Sequence, residues 1–165
     1  MAEELAIVRS KLSSNIYSKG SKRFRGENEN YTSRMGIFGE LIVQHYLTEN
    51  DIEFESASLI EKRPVAEPDI YIDKKSIDVK CSMSKDKLLI NKKSHHNPNK
   101  RPYDYWFVKP NLKECTAVIL KIYNKDVDNW NTTIHPEYKD EYYYYIIESE
   151  IKERHWSLAP IPKHI

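Results

Sequence analysis

A chain of 165 residues is most simply one domain, long enough to bury a sizeable core, and 39% hydrophobic against 31% charged residues makes it soluble but polar. No run approaches the ~20 apolar residues of a membrane span, and the opening Met-Ala-Glu-Glu-Leu lacks the basic and apolar parts of a signal peptide, so neither a membrane nor a secreted protein is expected. Two cysteines, Cys81 and Cys115, give no disulfide framework and are read as buried thiols in a reducing cytoplasm.

The net charge of +1 hides an uneven distribution. Arg9, Lys11, Lys19, Lys22, Arg23 and Arg25 fall in a stretch without any acid, and a second basic cluster contains Lys92, Lys93, Lys100 and Arg101. Local potential rather than net charge governs polyanion binding. Both clusters, with Arg34, are therefore candidate phosphate contacts, set against the plainer reading of a solvated surface.

In chain order, residues 3–12 suggest a short helix and 19–33 a loop or basic arm, so residues 1–34 form an N-terminal arm ahead of a single domain at 35–165. Ser33 is placed to cap the next helix. That helix, over 35–48, carries Ile37, Phe38, Leu41, Ile42, Val43, Tyr46 and Leu47 around most of its circumference, so it packs on more than one side. Glu40 and Gln44 form a narrow polar strip within it, and Gly36 and Gly39 allow close backbone approach. Residues 52–56 read as a strand and 59–67 as a connection.

Residues 68–82, Pro-Asp-Ile-Tyr-Ile-Asp-Lys-Lys-Ser-Ile-Asp-Val-Lys-Cys-Ser, read as a β-hairpin. Period-two alternation sets Asp69, Tyr71 and Asp73 against Ile70 and Ile72, and Asp78, Lys80 and Ser82 against Ile77, Val79 and Cys81. A two-residue turn centred on Lys74-Lys75 or on Asp73-Lys74 puts Asp69 on the face of Asp78 and Lys80. It is then opposite one, with Cβ atoms about 4.5–5.5 Å apart, and diagonal to the other at about 7–8 Å. Two carboxylates that close repel each other unless a cation joins them, which suits a hard divalent metal. The Lys80 ammonium beside it is positioned to stabilise an attacking hydroxide or a pentavalent phosphate.

Pro68-Asp69, eight intervening residues and Asp78-Val79-Lys80 resemble the PD-(D/E)XK motif of the restriction-endonuclease-like nuclease superfamily. The likeness covers about residues 36–82, because Gly36-x-x-Gly39-Glu40 and its apolar helix are similar to the helix that precedes the motif in many of these nucleases. The resemblance implies an α/β (α+β) fold, a mixed central sheet flanked by helices. It implies a Mg²⁺-dependent endonuclease hydrolysing phosphodiesters in DNA, with Mn²⁺ able to substitute and RNA left open. Asp69, Asp78, the Val79 carbonyl and Glu40 are the metal ligands it implies, Lys80 the residue that positions or activates water, and Gln44 a supporting neighbour. Cutting both strands calls for two sites, hence a homodimer, in the cytoplasm of a bacterium or archaeon or encoded by a phage. A four-way-junction resolvase of the same superfamily and a non-catalytic nucleic-acid-binding module on the same fold are the alternatives.

Beyond the hairpin, 84–93 is readable as helix or strand. Residues 103–108, 116–123 and 142–147 are strand-like, with 117–120 apolar enough to be buried on both faces, whereas 148–156 suggests a short helix and 160–162 an extended tail. His95-His96-Asn97 invites comparison with ββα-metal nucleases, but a second histidine at short helical spacing is missing, so a basic loop touching phosphate or nothing is the reading. No cysteine or histidine pair has zinc-ligand spacing. In the run from Tyr142 to Tyr145, alternate rings face opposite sides, one packing and the other lying at a boundary; stacking of unpaired bases on them is the sharper alternative.

Overall fold

A computed structural model describes residues 28–56, 68–82, 87–99, 101–134, 142–150 and 155–162. The expected helix over 3–12, the connection over 59–67 and most of the basic arm, with Lys22, Arg23 and Arg25, lie outside the described residues, as does Lys100.

The first described element is helix α1 (Asn28–Glu49). It starts earlier than expected, so Ser33 sits inside the helix and the 34/35 division falls within it. Nothing between 28 and 34 is Gly or Pro, and a helix anchored by packing further on propagates through such residues at little cost. The helix ends in a Schellman arrangement: the Ile52 N–H donates to the Leu47 carbonyl at 2.9 Å and the Asp51 N–H to the Thr48 carbonyl at 3.1 Å. Asp51 takes the left-handed conformation there, at φ 53°.

The chain then forms β1 (Glu55–Ser56), β2 (Ile70–Ile72), β3 (Lys75–Cys81), β4 (Lys87–Asn91), helix α2 (Lys92–His95), β5 (Asp104–Asn111), β6 (Thr116–Tyr123), helix α3 (Asn124–Val127), β7 (Asn131–Ile134), β8 (Tyr142–Ile147), a 3₁₀ turn (Glu148–Glu150) and β9 (His155–Pro160). Six strands make one sheet in the order β1-β2-β3-β5-β6-β9, and three make a second in the order β4-β8-β7. The larger sheet is mixed, because β3 and β5 run parallel while its other pairs are antiparallel. The protein is therefore α+β with a mixed central sheet, and no described helix is long and apolar enough to cross a membrane.

Alternation along the strands divides the core in two. Ile77, Val79, Trp106, Val108, Ala117 and Ile119 join Ile42, Val43 and Leu47 of α1 on one face. Tyr105, Phe107, Leu120 and Ile122 join Leu88, Ile90 and Tyr144 of the small sheet, with Val127 and Trp130, on the other. Gly39 is required where α1 crosses β3, since a Cβ there would lie 2.6 Å from the Cys81 Cβ.

Several expectations change. The undecided stretch over 84–93 contains strand β4 and the start of α2. The helix expected over 148–156 is only the 3₁₀ turn, followed by β9, which adds to the edge of β6 and carries Pro160, a residue an edge strand tolerates. Strand β5 continues to Asn111 through Pro110, because β3 stops pairing at Val108 and the missing proline N–H deprives no strand on that side. Cys115 is not buried: it is exposed at φ 52° in the turn between β5 and β6. Cys81 is half-buried against Gly39, and burial pushes its thiol up to about 12, which keeps it protonated.

Candidate active site

The hairpin closes on Asp73-Lys74, both at positive φ (48° and 63°), the pattern of a two-residue turn that matches strand twist. The pairs Ile70↔Ile77, Tyr71↔Ser76 and Ile72↔Lys75 set the register. Continued by one residue, it would place Asp69 opposite Asp78. Instead, the Asp69 N–H donates to the Ile77 carbonyl at 3.1 Å, so Asp69 slips out of the regular ladder. Its carboxylate then accepts a 2.7 Å hydrogen bond from the Val79 N–H. That side chain does at the end of β2 what a strand carbonyl would do, leaving the Val79 amide satisfied.

From Asp78 to Cys81, β3 therefore keeps β5 on one side but has no paired strand on the other among the described residues. Asp78 and Lys80 lie on this overhang and are ion-paired with each other. Their register partners in β5 are Tyr105 and Phe107, so both project from the face opposite α1. Glu40, fully enclosed on α1, and Asp69, buried at the mouth of β2, complete the group.

Lys80 feels the field of these carboxylates. Burial pulls its amine down, yet Asp78, Asp69 and Glu40, together with the hydrogen bond to Asp78, outweigh that effect and hold it above its ordinary value. The side chain as a whole is 41% exposed, although its ammonium is drawn in against Asp78. It is a fixed cation at neutral pH, suited to stabilising developing negative charge rather than to removing a proton.

Hard oxygen donors are what a small divalent cation takes, and Asp69, Asp78 and Glu40 are carboxylates from three separate elements. Among the described residues, no three His, Cys, Asp or Glu side chains already converge as a cage. The donor chemistry fits such a cation, provided the Asp78–Lys80 pair opens to admit it. Gln44, one turn beyond Glu40, is half-buried, and its Nε2 is buried without a hydrogen-bond acceptor among the described residues.

The basic residues expected to contact phosphate are placed differently from one another. Arg34 and Lys93 are exposed. Lys92 holds its ammonium 4.6 Å from the Tyr144 ring centre. Arg101 donates to Asp128 at 2.7 Å, which commits it to an intramolecular pair instead of leaving it as a loop cation.

Asp128 belongs to a network that the sequence reading did not find. His95, taken there for a residue of a basic loop, is fully buried. Its Nδ1 lies 2.9 Å from the Tyr105 hydroxyl and its Nε2 3.0 Å from the Asp128 carboxylate. Burial lowers the His95 pKa below its ordinary value, against the pull of Asp128. Burial also raises the Tyr105 hydroxyl, with Asp78 adding to the effect. His96 Nε2 lies 2.9 Å from the Tyr144 hydroxyl, so both histidines of the pair are bound to tyrosines. Thirty-three residues separate His95 from Asp128, and no local spacing announces the contact.

A cleft lined by Asp51, Glu53, Glu55, Tyr71 and Lys74 lies at the turn end of the hairpin. It contains none of Glu40, Asp69, Asp78 and Lys80, and its mostly acidic rim disfavours a polyanion. No protein-family model and no curated protein matches this chain.

Proposed function

We propose that this protein is a Mg²⁺-dependent endonuclease that hydrolyses phosphodiester bonds in DNA, on a restriction-endonuclease-like core. One observation carries the reading: Asp78 and Lys80 are ion-paired on an overhang of β3 that has no paired strand on one side among the described residues, and the Asp69 carboxylate holds the Val79 N–H between them.

In this reading Asp69, Asp78, the Val79 carbonyl and Glu40 hold the cation, with Mn²⁺ able to replace Mg²⁺. The bound cation supplies Lewis acidity and makes a coordinated water easier to deprotonate. Asp69 has a second task, because its bond to the Val79 N–H fixes the strand that presents Asp78 and Lys80. Lys80 orients the attacking water and offsets charge on the phosphoryl oxygens. Tyr105 and Phe107 form the apolar side of the site next to Asp78 and Lys80, where a low local dielectric strengthens these interactions. Arg34 and Lys93 remain candidates for phosphate contacts. Cutting both strands calls for two such sites, which a homodimer supplies.

The test is cleavage of supercoiled plasmid, linear duplex and a four-way junction with Mg²⁺, Mn²⁺ or EDTA. Wild type is run beside Asp78→Ala and Lys80→Ala. Metal-dependent cutting lost in both variants supports the reading, and cleavage confined to the junction redefines the enzyme as a resolvase. Absence of cutting with all three substrates, while DNA binding is the same in all three proteins, sinks it in favour of a binding module.

A further inference from the structure

We infer that the outer face of the small sheet binds an unpaired nucleic-acid strand by stacking bases on Tyr143 and Tyr145. Registers Lys87↔Ile147, Leu89↔Tyr145 and Asn91↔Tyr143 put these six residues on one face, and Asn131↔Tyr145 and Thr133↔Tyr143 extend it across β7. The other face of β4 and β8, with Leu88, Ile90 and Tyr144, is buried against the main sheet. The outer face consequently points away from it. Leu89 and Ile147 are 38% and 40% exposed although both are large and apolar.

Charge selects the occupant. The segments 87–97, 131–134 and 142–147 contain Lys87 and Lys93, with Lys92 turned to Tyr144 on the inner face, and no acidic residue. Just beyond β8, Glu148 is paired with Lys109, and Glu150 accepts from the Ile147 N–H at 3.4 Å, so one carboxylate borders the end of this face. The Lys87 ammonium already lies 3.9 Å from the Tyr145 ring centre, which shows that this ring offers its π face to a partner from outside its own strand. A base taking that place displaces the ammonium toward the phosphate that accompanies it. Asn131 and Thr133 beside the rings supply hydrogen-bonding groups of the kind base edges use, whereas the Asn91 Oδ1 accepts from the Ser94 N–H as the cap of α2.

Spacing selects an unpaired strand over a duplex. Residues two apart on a strand are about 6.6 Å apart, roughly double the 3.4 Å per nucleotide of stacked duplex. Adjacent bases must therefore separate to reach both rings, which only an unpaired strand does easily. Stacking tolerates any base, so no sequence preference is expected.

This inference does not rest on the nuclease reading, and its test contains no divalent metal. Labelled 12-mer oligothymidylate and a 12-base-pair duplex are titrated with protein in EDTA, read by fluorescence anisotropy. The single strand should bind more tightly than the duplex. Tyr143→Ala and Tyr145→Ala should each weaken it about 10-fold, while Tyr145→Phe, which keeps the ring, should leave it unchanged. Photo-crosslinking of wild type with an iodouridine-containing 12-mer, mapped by mass spectrometry, should label the peptide spanning residues 142–147. This keeps the inference testable if an alanine variant misfolds. Absence of single-strand binding overturns it, as do equal binding by wild type and both alanine variants, crosslinks confined to other segments, or a Tyr→Ala effect that appears only as a change in self-association.

Discussion

Asp78 and Tyr105 are neighbours in the parallel ladder of β3 and β5, yet the polar groups on either side of that pair are assembled differently. On the Tyr105 side, Arg101, Asp128, His95 and the tyrosine hydroxyl form a chain in which the one cation meets the one anion and the two other groups are neutral. On the Asp78 side, Lys80 is ion-paired with Asp78, and the buried side chains of Asp69 and Glu40 add to the field it feels. A satisfied network rigidifies a core. The Lys80 cluster instead sets an ion pair on a partly exposed strand overhang, which is why it is the one we propose as functional.

The largest expected effect breaks the charged cluster. Lys80→Met and Asp78→Asn should each lower metal-dependent cleavage by about 10³-fold, the scale seen when a preorganised charge is lost from a reaction centre. Far-UV circular dichroism should stay unchanged, since both side chains lie on a partly exposed overhang. The matched change on the other side, His95→Ala, should act on stability. Removing a fully buried ring and orphaning the Tyr105 hydroxyl and one contact of Asp128 should cost about 3 kcal/mol in urea unfolding.

The same contrast has a pH signature. His95 is held below its ordinary value of 6.5 by burial, so the unfolded chain binds its proton more readily. Its contribution is then complete above 6.5 and is lost as pH falls through the lowered folded value. Asp128 and Arg101 on one side, with His96 and Tyr105 on the other, are the groups that face it. His95→Gln should flatten the part of the stability profile below pH 6.5, as measured by urea midpoints across pH.

Cation linkage separates the clusters further. At a Mg²⁺ concentration 100 times its Kd, wild type should gain about 2.7 kcal/mol. Asp78→Asn should abolish most of that gain and His95→Gln none of it, as read by differential scanning fluorimetry. A shift equal in all three proteins would locate the cation elsewhere.

The smallest effects test the scaffold that carries Glu40. Gly39→Ala drives a methyl into Cys81 and should cost about 1–3 kcal/mol. Gly36→Ala meets nothing within 4 Å and should stabilise the helix by roughly 0.5–1 kcal/mol. Comparable losses at both positions would show that Gly39 is not the contact that sets the height of α1 over β3.

What was legible in the sequence was periodic and local. Alternation in 69–73 and 76–82 disclosed the hairpin, observed as strands at 70–72 and 75–81, the strand read over 116–123 located β6 at its observed bounds, and the spacing of Asp69, Asp78 and Lys80 singled out the candidate cluster. These depend on residues close along the chain, where backbone geometry alone determines who shares a face. What only the tertiary structure decided depends on distant partners. The edge of β6 turned 155–160 into a strand although its surroundings suggested a helix. The packing of the small sheet enclosed His95 and joined it to Asp128. The slip of Asp69 onto Ile77 replaced regular pairing with a side-chain bond to Val79. Burial and long-range hydrogen bonding select among conformations that local propensity leaves nearly equal in free energy, so no reading of neighbours alone could have chosen them.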